Sequence, residues 1–287
     1  MRITILTLFF FCSLYTVNAQ RINPLLTRDV DAQKVWVDSI LNKMTLDEKI
    51  GQLFMVQAYS NKDEKHKKFI TEMIANYHVG NLIFMQGTPQ KQAELTNYYQ
   101  SISKTPLMIG FDGEWGLNMR LKDTYKFPWN MTLGAIQDTS LIRDFGERVA
   151  DHCKRIGIHI NFSPVVDVNV NPANPIIGNR SFGEDKYNVA NKAIAFTNGL
   201  QSKKVMASAK HFPGHGDTAS DSHYTLPLLD FDRARLDSVE LYPYKKIFDA
   251  SVGSVMTAHL NIPSLESSVN LPTSLSKDVV TDLLQNE

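Results

Sequence analysis

Cysteine is nearly missing from this chain of 287 residues: it has Cys12 and Cys153, too few for a disulfide framework. Net charge is missing too, with 30 Lys and Arg against 30 Asp and Glu. Phosphate binding needs clustered positive charge, so a nucleic-acid-binding protein is excluded. No acidic tail, low-complexity run or collagen-like glycine period occurs, which excludes a disordered or fibrous chain. The apolar run over residues 3–15 is shorter than the roughly 20 residues of a membrane-spanning helix. What is present, 43% apolar and 21% charged residues, is the composition of a globular protein with a single large core.

That apolar run reads as an address. Arg2 supplies the positive start, and Val17-Asn18-Ala19 a small-residue cleavage site before Gln20. Phe9-Phe10-Phe11 has no amphipathic period, which argues against a buried first helix. Cys12 lacks the small residues that precede a lipoprotein cysteine, so no stable membrane anchor is expected. Removal of residues 1–19 leaves Cys153 alone, and no internal disulfide can then form. The protein is expected in the periplasm or outside the cell.

After a helical segment over 31–44 and a Thr45-x-x-Glu48 capping box, the chain alternates. Strand-length apolar runs fall at 53–58, 81–85, 107–111, 158–168, 205–209 and 254–259. Between them, helical periods run over 64–76, 90–103, 140–155, 186–202 and 233–250, the last split by Pro243. A final helical segment covers 276–286. Runs that are apolar throughout fit strands buried on both faces, and strand–helix repeats imply a parallel sheet. The candidates are an open doubly wound sheet and a closed (β/α)8 TIM barrel. No Gly-x-Gly-x-x-Gly follows the first strand, which weakens a dinucleotide-binding version. Six units fill the chain. A barrel truncated after six strand–helix units, part of a longer protein, is favoured over a six-stranded open sheet, because two missing staves leave unpaired edges.

Parallel α/β folds place ligands at the carboxyl ends of their strands. Those ends carry Asp112, Asp167, Lys210, His211 and His259. The densest chemistry is Lys210-His211-Phe212-Pro213-Gly214-His215-Gly216-Asp217-Thr218, followed by Asp221-Ser222-His223. Asp221 and His223 lie two apart, close enough for the carboxylate to fix the ring's tautomer and free its other nitrogen for proton transfer. The same residue types could ligate a metal. Metal hydrolases on barrels usually also draw two His from the first strand, and none lies over 53–59. Phe111-Asp112-Gly113-Glu114-Trp115-Gly116 with Arg120 offers a carboxylate, an aromatic face and a guanidinium, equipment for gripping sugar hydroxyls. Arg180 stands in a Gly-flanked loop after strand 4.

These segments resemble glycoside hydrolase family 3. Lys210 to Thr218 with Asp221-Ser222-His223 is similar to its Lys-His-Phe-Pro-Gly-His-Gly…Asp-Ser-His signature, and within the family to bacterial β-N-acetylglucosaminidases of the NagZ type. The similarity runs from about Asp47 to Glu287, and the barrel domain is expected over 28–287. The resemblance implies that Asp112, Arg120, Arg180, Lys210 and His211 hold the N-acetylglucosamine ring. It makes His223 the general acid/base and Asp221 its orienting partner, in a retaining β-N-acetylhexosaminidase. The implied substrates are peptidoglycan fragments or chitin-type oligosaccharides with terminal N-acetylglucosamine, with no metal or organic cofactor. Where the family often has Asp-x-Glu-Gly-Gly-x-Val-x-Arg, this chain has Trp115 for the first Gly and Asn118 for the Val. The family's nucleophile is an aspartate at the end of strand 7, and no carboxylate here matches it by motif. The rivals are a β-glucosidase of the same superfamily and a non-catalytic sugar-binding protein.

Overall fold

The computed structural model describes residues 23–287, so the expected export signal over 1–19 lies outside the described residues. The apolar runs become six strands: β1 (Met55–Ala58), β2 (Asn81–Phe84), β3 (Met108–Phe111), β4 (Ile160–Asn161), β5 (Met206–Phe212) and β6 (Ser254–Thr257). They pair in chain order, every neighbouring pair parallel. A doubly wound sheet starts in its middle and reverses at a switch point. This sheet never reverses. Each strand is laid beside the last, as barrel winding requires.

Helix starts follow from local chemistry, since the first N–H groups of a helix need acceptors. Asp29 caps α1 (Val30–Leu41), and Thr45 with Glu48 completes the expected capping box of α2 (Leu46–Gly51). Asp63 and Thr88 cap α3 (Glu64–Tyr77) and α4 (Pro89–Ile102). After the short α5 (Asn130–Gly134), Asp138 and Asp185 cap α6 (Thr139–Arg155) and α7 (Lys186–Ser202). Asp232 caps α8 (Arg233–Ser238), which precedes α9 (Tyr242–Asp249).

Three expectations change in detail, and one holds. The fourth strand, expected over 158–168, keeps a regular ladder only at Ile160–Asn161. Pro164 has no N–H to give, and beyond it Val166 N rejoins β5 by donating to Lys210 O at 2.8 Å. The first strand starts at Met55, because Leu53 and Phe54 belong to the turn leaving α2 and are exposed. The segment over 233–250 divides as expected into α8 and α9, and Pro243 falls in the first turn of α9, where a missing N–H is tolerated. α1 forms close to its expected span, yet none of its residues is buried.

The core lies between sheet and helices. Ile142, Phe145 and Val149 of α6 meet Phe196 and Leu200 of α7 and Ala207 of β5. Each fully buried large side chain of this kind contributes about 1.5–3 kcal/mol. Glycines let the two helices cross closely: a Cβ on Gly199 would stand 2.2 Å from Arg143 O, and one on Gly146 2.5 Å from Phe196 O. A second cluster joins Ala209 and Phe212 of β5 to Leu236, Tyr244 and Ile247 of α8 and α9. These clusters hold rigid the strand ends that carry the polar residues.

Candidate active site

Along β5 the side chains alternate in direction. Ala207 and Ala209 are buried in the two apolar clusters, while Ser208 hydroxyl meets Ser254 of β6 at 3.0 Å. Strict alternation would part Lys210 from His211. The ladder to β6 is irregular there: Lys210 pairs with Met256 and Phe212 with Thr257, leaving His211 without a partner. Such a bulge re-aims a side chain. Both Lys210 and His211 consequently line one cavity of about 700 Å³ at the carboxyl ends of the strands.

The opposite wall is fixed by a clamp. Asn161, at the end of β4, accepts from Gly113 N at 2.8 Å and donates to Gly113 O at 3.2 Å. Gly113 separates Asp112 from Glu114, so the clamp sets both carboxylates. Arg120 Nη2 donates to Asp112 Oδ2 at 2.6 Å. Lys210 Nζ bridges Asp112 Oδ1 at 3.1 Å and Glu114 Oε1 at 2.8 Å. Arg180 grips Glu114 with Nη2 to Oε1 at 2.8 Å and Nε to Oε2 at 3.0 Å. Burial alone pushes both carboxyls up. The charge of Lys210, with that of Arg120 at Asp112 and of Arg180 at Glu114, outweighs it and brings each down to about 2.

Asp167 extends the row. It is fully buried and accepts from His215 N at 2.7 Å and His211 N at 3.2 Å, while His211 Nδ1 stands 2.7 Å away. His211 Nε2 faces Arg180 Nη2 at 3.3 Å. A guanidinium only donates, so Nε2 is the acceptor and Nδ1 carries the proton toward Asp167. Burial first, then the charges of Lys210 and Arg180, hold this ring below its ordinary pKa despite Asp167. His211 is a neutral, oriented ring.

A second Asp–His pair stands in contrast. His223 Nδ1 lies 2.7 Å from Asp221 Oδ1, the same separation as in the first pair, but the His223 side chain is 72% exposed against 16% for His211. His223 also lines the cavity.

Of the residues singled out from sequence, Asp112, Arg120, Arg180, Lys210, His211 and His223 line this one cavity, and Asp221 stands behind His223. Trp115 does not line it. Its ring meets that of Trp129 at 4.2 Å, so the expected sugar platform is an aromatic pair elsewhere. Glu114, quoted within Phe111–Gly116, and Asp167, quoted as a strand end, have no assigned role in the sequence reading. Both are buried carboxylates, a placement too costly without the partners they have here. His259 lines the cavity from the end of β6, its Nδ1 2.5 Å from Ser274 Oγ. Among the described residues no group of three or more His, Cys, Asp or Glu is placed to hold a metal ion.

Residues 45–287 match the family described as Glycosyl hydrolase family 3 N terminal domain. The chain is 35% identical over 241 residues to Beta-hexosaminidase A of Pseudoalteromonas piscicida, covering 76% of this chain and 40% of that protein. It is 28% identical over 259 residues to the Beta-N-acetylglucosaminidase/beta-glucosidase of Cellulomonas fimi, covering 88% and 45%. Among solved structures, a glycoside hydrolase family 3 beta-N-acetylglucosaminidase from Paenibacillus sp. str. FPU-7 superposes with a TM-score of 0.77 at 36% identity, over 84% of this chain and 47% of that one. The chain thus spans about half the length of these relatives.

Proposed function

The chain belongs to glycosyl hydrolase family 3, and on that premise we propose that it carries the sugar-binding wall and the proton-transfer group of a retaining β-N-acetylhexosaminidase. One observation carries the reading: an exposed imidazole, oriented by Asp221, lines the same cavity as a fixed row of charged residues. In that row Lys210, Arg180 and Arg120 donate, Asp112 accepts, and His211 offers a ring of set tautomer. Groups locked to one another before a sugar arrives need no reorganisation when it binds.

Two histidines compete for the proton-transfer role. His211 is held neutral, and Arg180 occupies its free nitrogen. His223 keeps Nδ1 on Asp221 and leaves Nε2 unengaged by any bond among the described residues. In the proposed cycle His223 protonates the leaving oxygen as the glycosidic bond breaks, then takes a proton from the water that releases the sugar. The attacking carboxylate is not assigned. Asp112 is the carboxylate lining the cavity among the described residues, and it is bound to two cations. Double displacement of the family type then draws its nucleophile from a seventh strand of a complete (β/α)8 barrel, of which these six strands form a continuous arc.

The proposed substrates are peptidoglycan fragments or chitin-type oligosaccharides ending in N-acetylglucosamine, met in the periplasm or outside the cell after removal of residues 1–19. A second reading, β-glucosidase, is favoured by the Cellulomonas fimi relative, whose name carries both activities. Turnover of nitrophenyl β-N-acetylglucosaminide and nitrophenyl β-glucoside by the full-length protein tests both. Clear preference for the acetamido sugar supports the first. Preference for glucose supports the second, and no turnover of either leaves a sugar-binding protein.

A further inference from the structure

The proposed proton donor sits on a loop with little to hold it. From Ala219 to Thr225 the backbone bonds are internal: Tyr224 N and Thr225 N donate to Asp221 O at 3.2 and 3.1 Å, and His223 N donates to Asp221 Oδ1 at 2.9 Å. Among the described residues, one hydrogen bond joins this segment to the rest of the protein. It runs from Ser222 Oγ to His215 Nε2, at 2.9 Å. Ser222 is the residue between Asp221 and His223.

The other end of that bond is fixed. His215 is 2% exposed, and its backbone N donates to the buried Asp167 at 2.7 Å. Its Nδ1 meets Thr218 Oγ1 at 2.7 Å. Thr218 in turn accepts from Asn174 Nδ2 at 3.3 Å, and the same amide donates to His215 O at 2.8 Å. Either tautomer of the ring makes both side-chain bonds, because the hydroxyls of Thr218 and Ser222 can each donate or accept.

We propose that His215 is a positioning residue for the acid/base pair, acting through Ser222 to hold His223 over the cavity. The inference deepens the hydrolase reading and rests on it. Asp167 then anchors both halves of the reaction, the sugar-binding ring of His211 through its side-chain bond and the proton donor through His215. A donor must come within hydrogen-bond reach of the oxygen it protonates, and a loop free to swing spends little time there.

Leaving-group dependence tests this, since a misplaced acid harms only those substrates whose leaving group needs a proton. In the full-length enzyme, kcat/KM is compared for chitobiose, a poor leaving group, and for a dinitrophenyl β-N-acetylglucosaminide, which departs unassisted. His223→Ala sets the signature, a fall in the chitobiose-to-aryl ratio of about 10²–10⁴. Ser222→Ala is expected to show the same signature at roughly tenfold, and Ser222→Thr, which keeps the hydroxyl, to restore the ratio. Adding His215→Gln to Ser222→Ala should make the ratio no worse than the poorer single variant. An unchanged ratio in Ser222→Ala beside a shifted one in His223→Ala overturns the tether, as do additive losses in the double variant. An unchanged ratio in His223→Ala overturns the acid/base reading itself, and the tether with it.

Discussion

Lys210 and Glu114 meet at 2.8 Å in a place where neither side chain is more than 3% exposed. Glu114 does not line the cavity, but Lys210 and Arg180, the two cations it holds, both do. The negative charge beneath the cavity wall thus decides where the wall's donors point.

Glu114→Gln is the corresponding test of stability. The amide fills the same space but leaves two buried cations undercompensated, and breaking such a pair costs about 3–5 kcal/mol. A denaturant midpoint of the 287-residue chain should fall accordingly. Lys34→Ala, which removes an exposed pair with Asp38, should move it by no more than about 1 kcal/mol.

Asp167→Asn probes the buried Asp–His pair. Asp167 accepts from two backbone N–H groups as well as from the His211 ring, and an amide nitrogen in place of one oxygen turns donor against donor. A loss of about 1–3 kcal/mol is expected, together with weaker binding of N-acetylglucosamine measured by calorimetry. Unaltered affinity in a folded variant would remove His211 orientation from the account.

Acid should unfold the protein through the same row. The carboxyls of Asp112 and Glu114 stand at about 2, below their ordinary 3.8 and 4.5. As pH falls through the ordinary values, the unfolded chain takes up protons before the folded one does, so stability drops. The contribution is complete above the ordinary values and gone below about 2. His211 adds to the loss from higher pH, because its folded pKa is lowered and the unfolded ring protonates first. Equilibrium unfolding followed from pH 7 downward should show this slope, and Asp112→Asn should flatten its most acidic part.

The 287-residue chain on its own should bind N-acetylglucosamine without hydrolysing its glycosides. Among the described residues, the carboxylate facing the cavity is committed to Arg120 and Lys210. Measurable turnover of an aryl glycoside by this chain, free of contaminating enzyme, would show that Asp112 or another residue attacks after all.

Much of this was legible in the sequence because the local signals agreed. Apolar runs separated by helical periods located all six strands, and charged residues at their ends marked the cavity. The hidden parts share a cause: they depend on contacts distant in the chain. Lys210 and His211 are consecutive, and only the pairing with β6 reveals the bulge that brings both to one cavity. Glu114 has no evident role until Arg180, from the turn after β4, and Lys210, from β5, close on it. Trp115 looks like a platform until Trp129 takes its face. The short ladder of β4 follows from Pro164, a signal present in the sequence but outweighed by the apolar run around it.

The most direct measurement is a crystal structure of the chain with N-acetylglucosamine bound. The account expects the ring hydroxyls on Asp112, Arg180, Lys210 and His211, with His223 Nε2 turned toward the anomeric oxygen. A sugar seated away from that row, or His223 facing away from a sugar bound there, would contradict it.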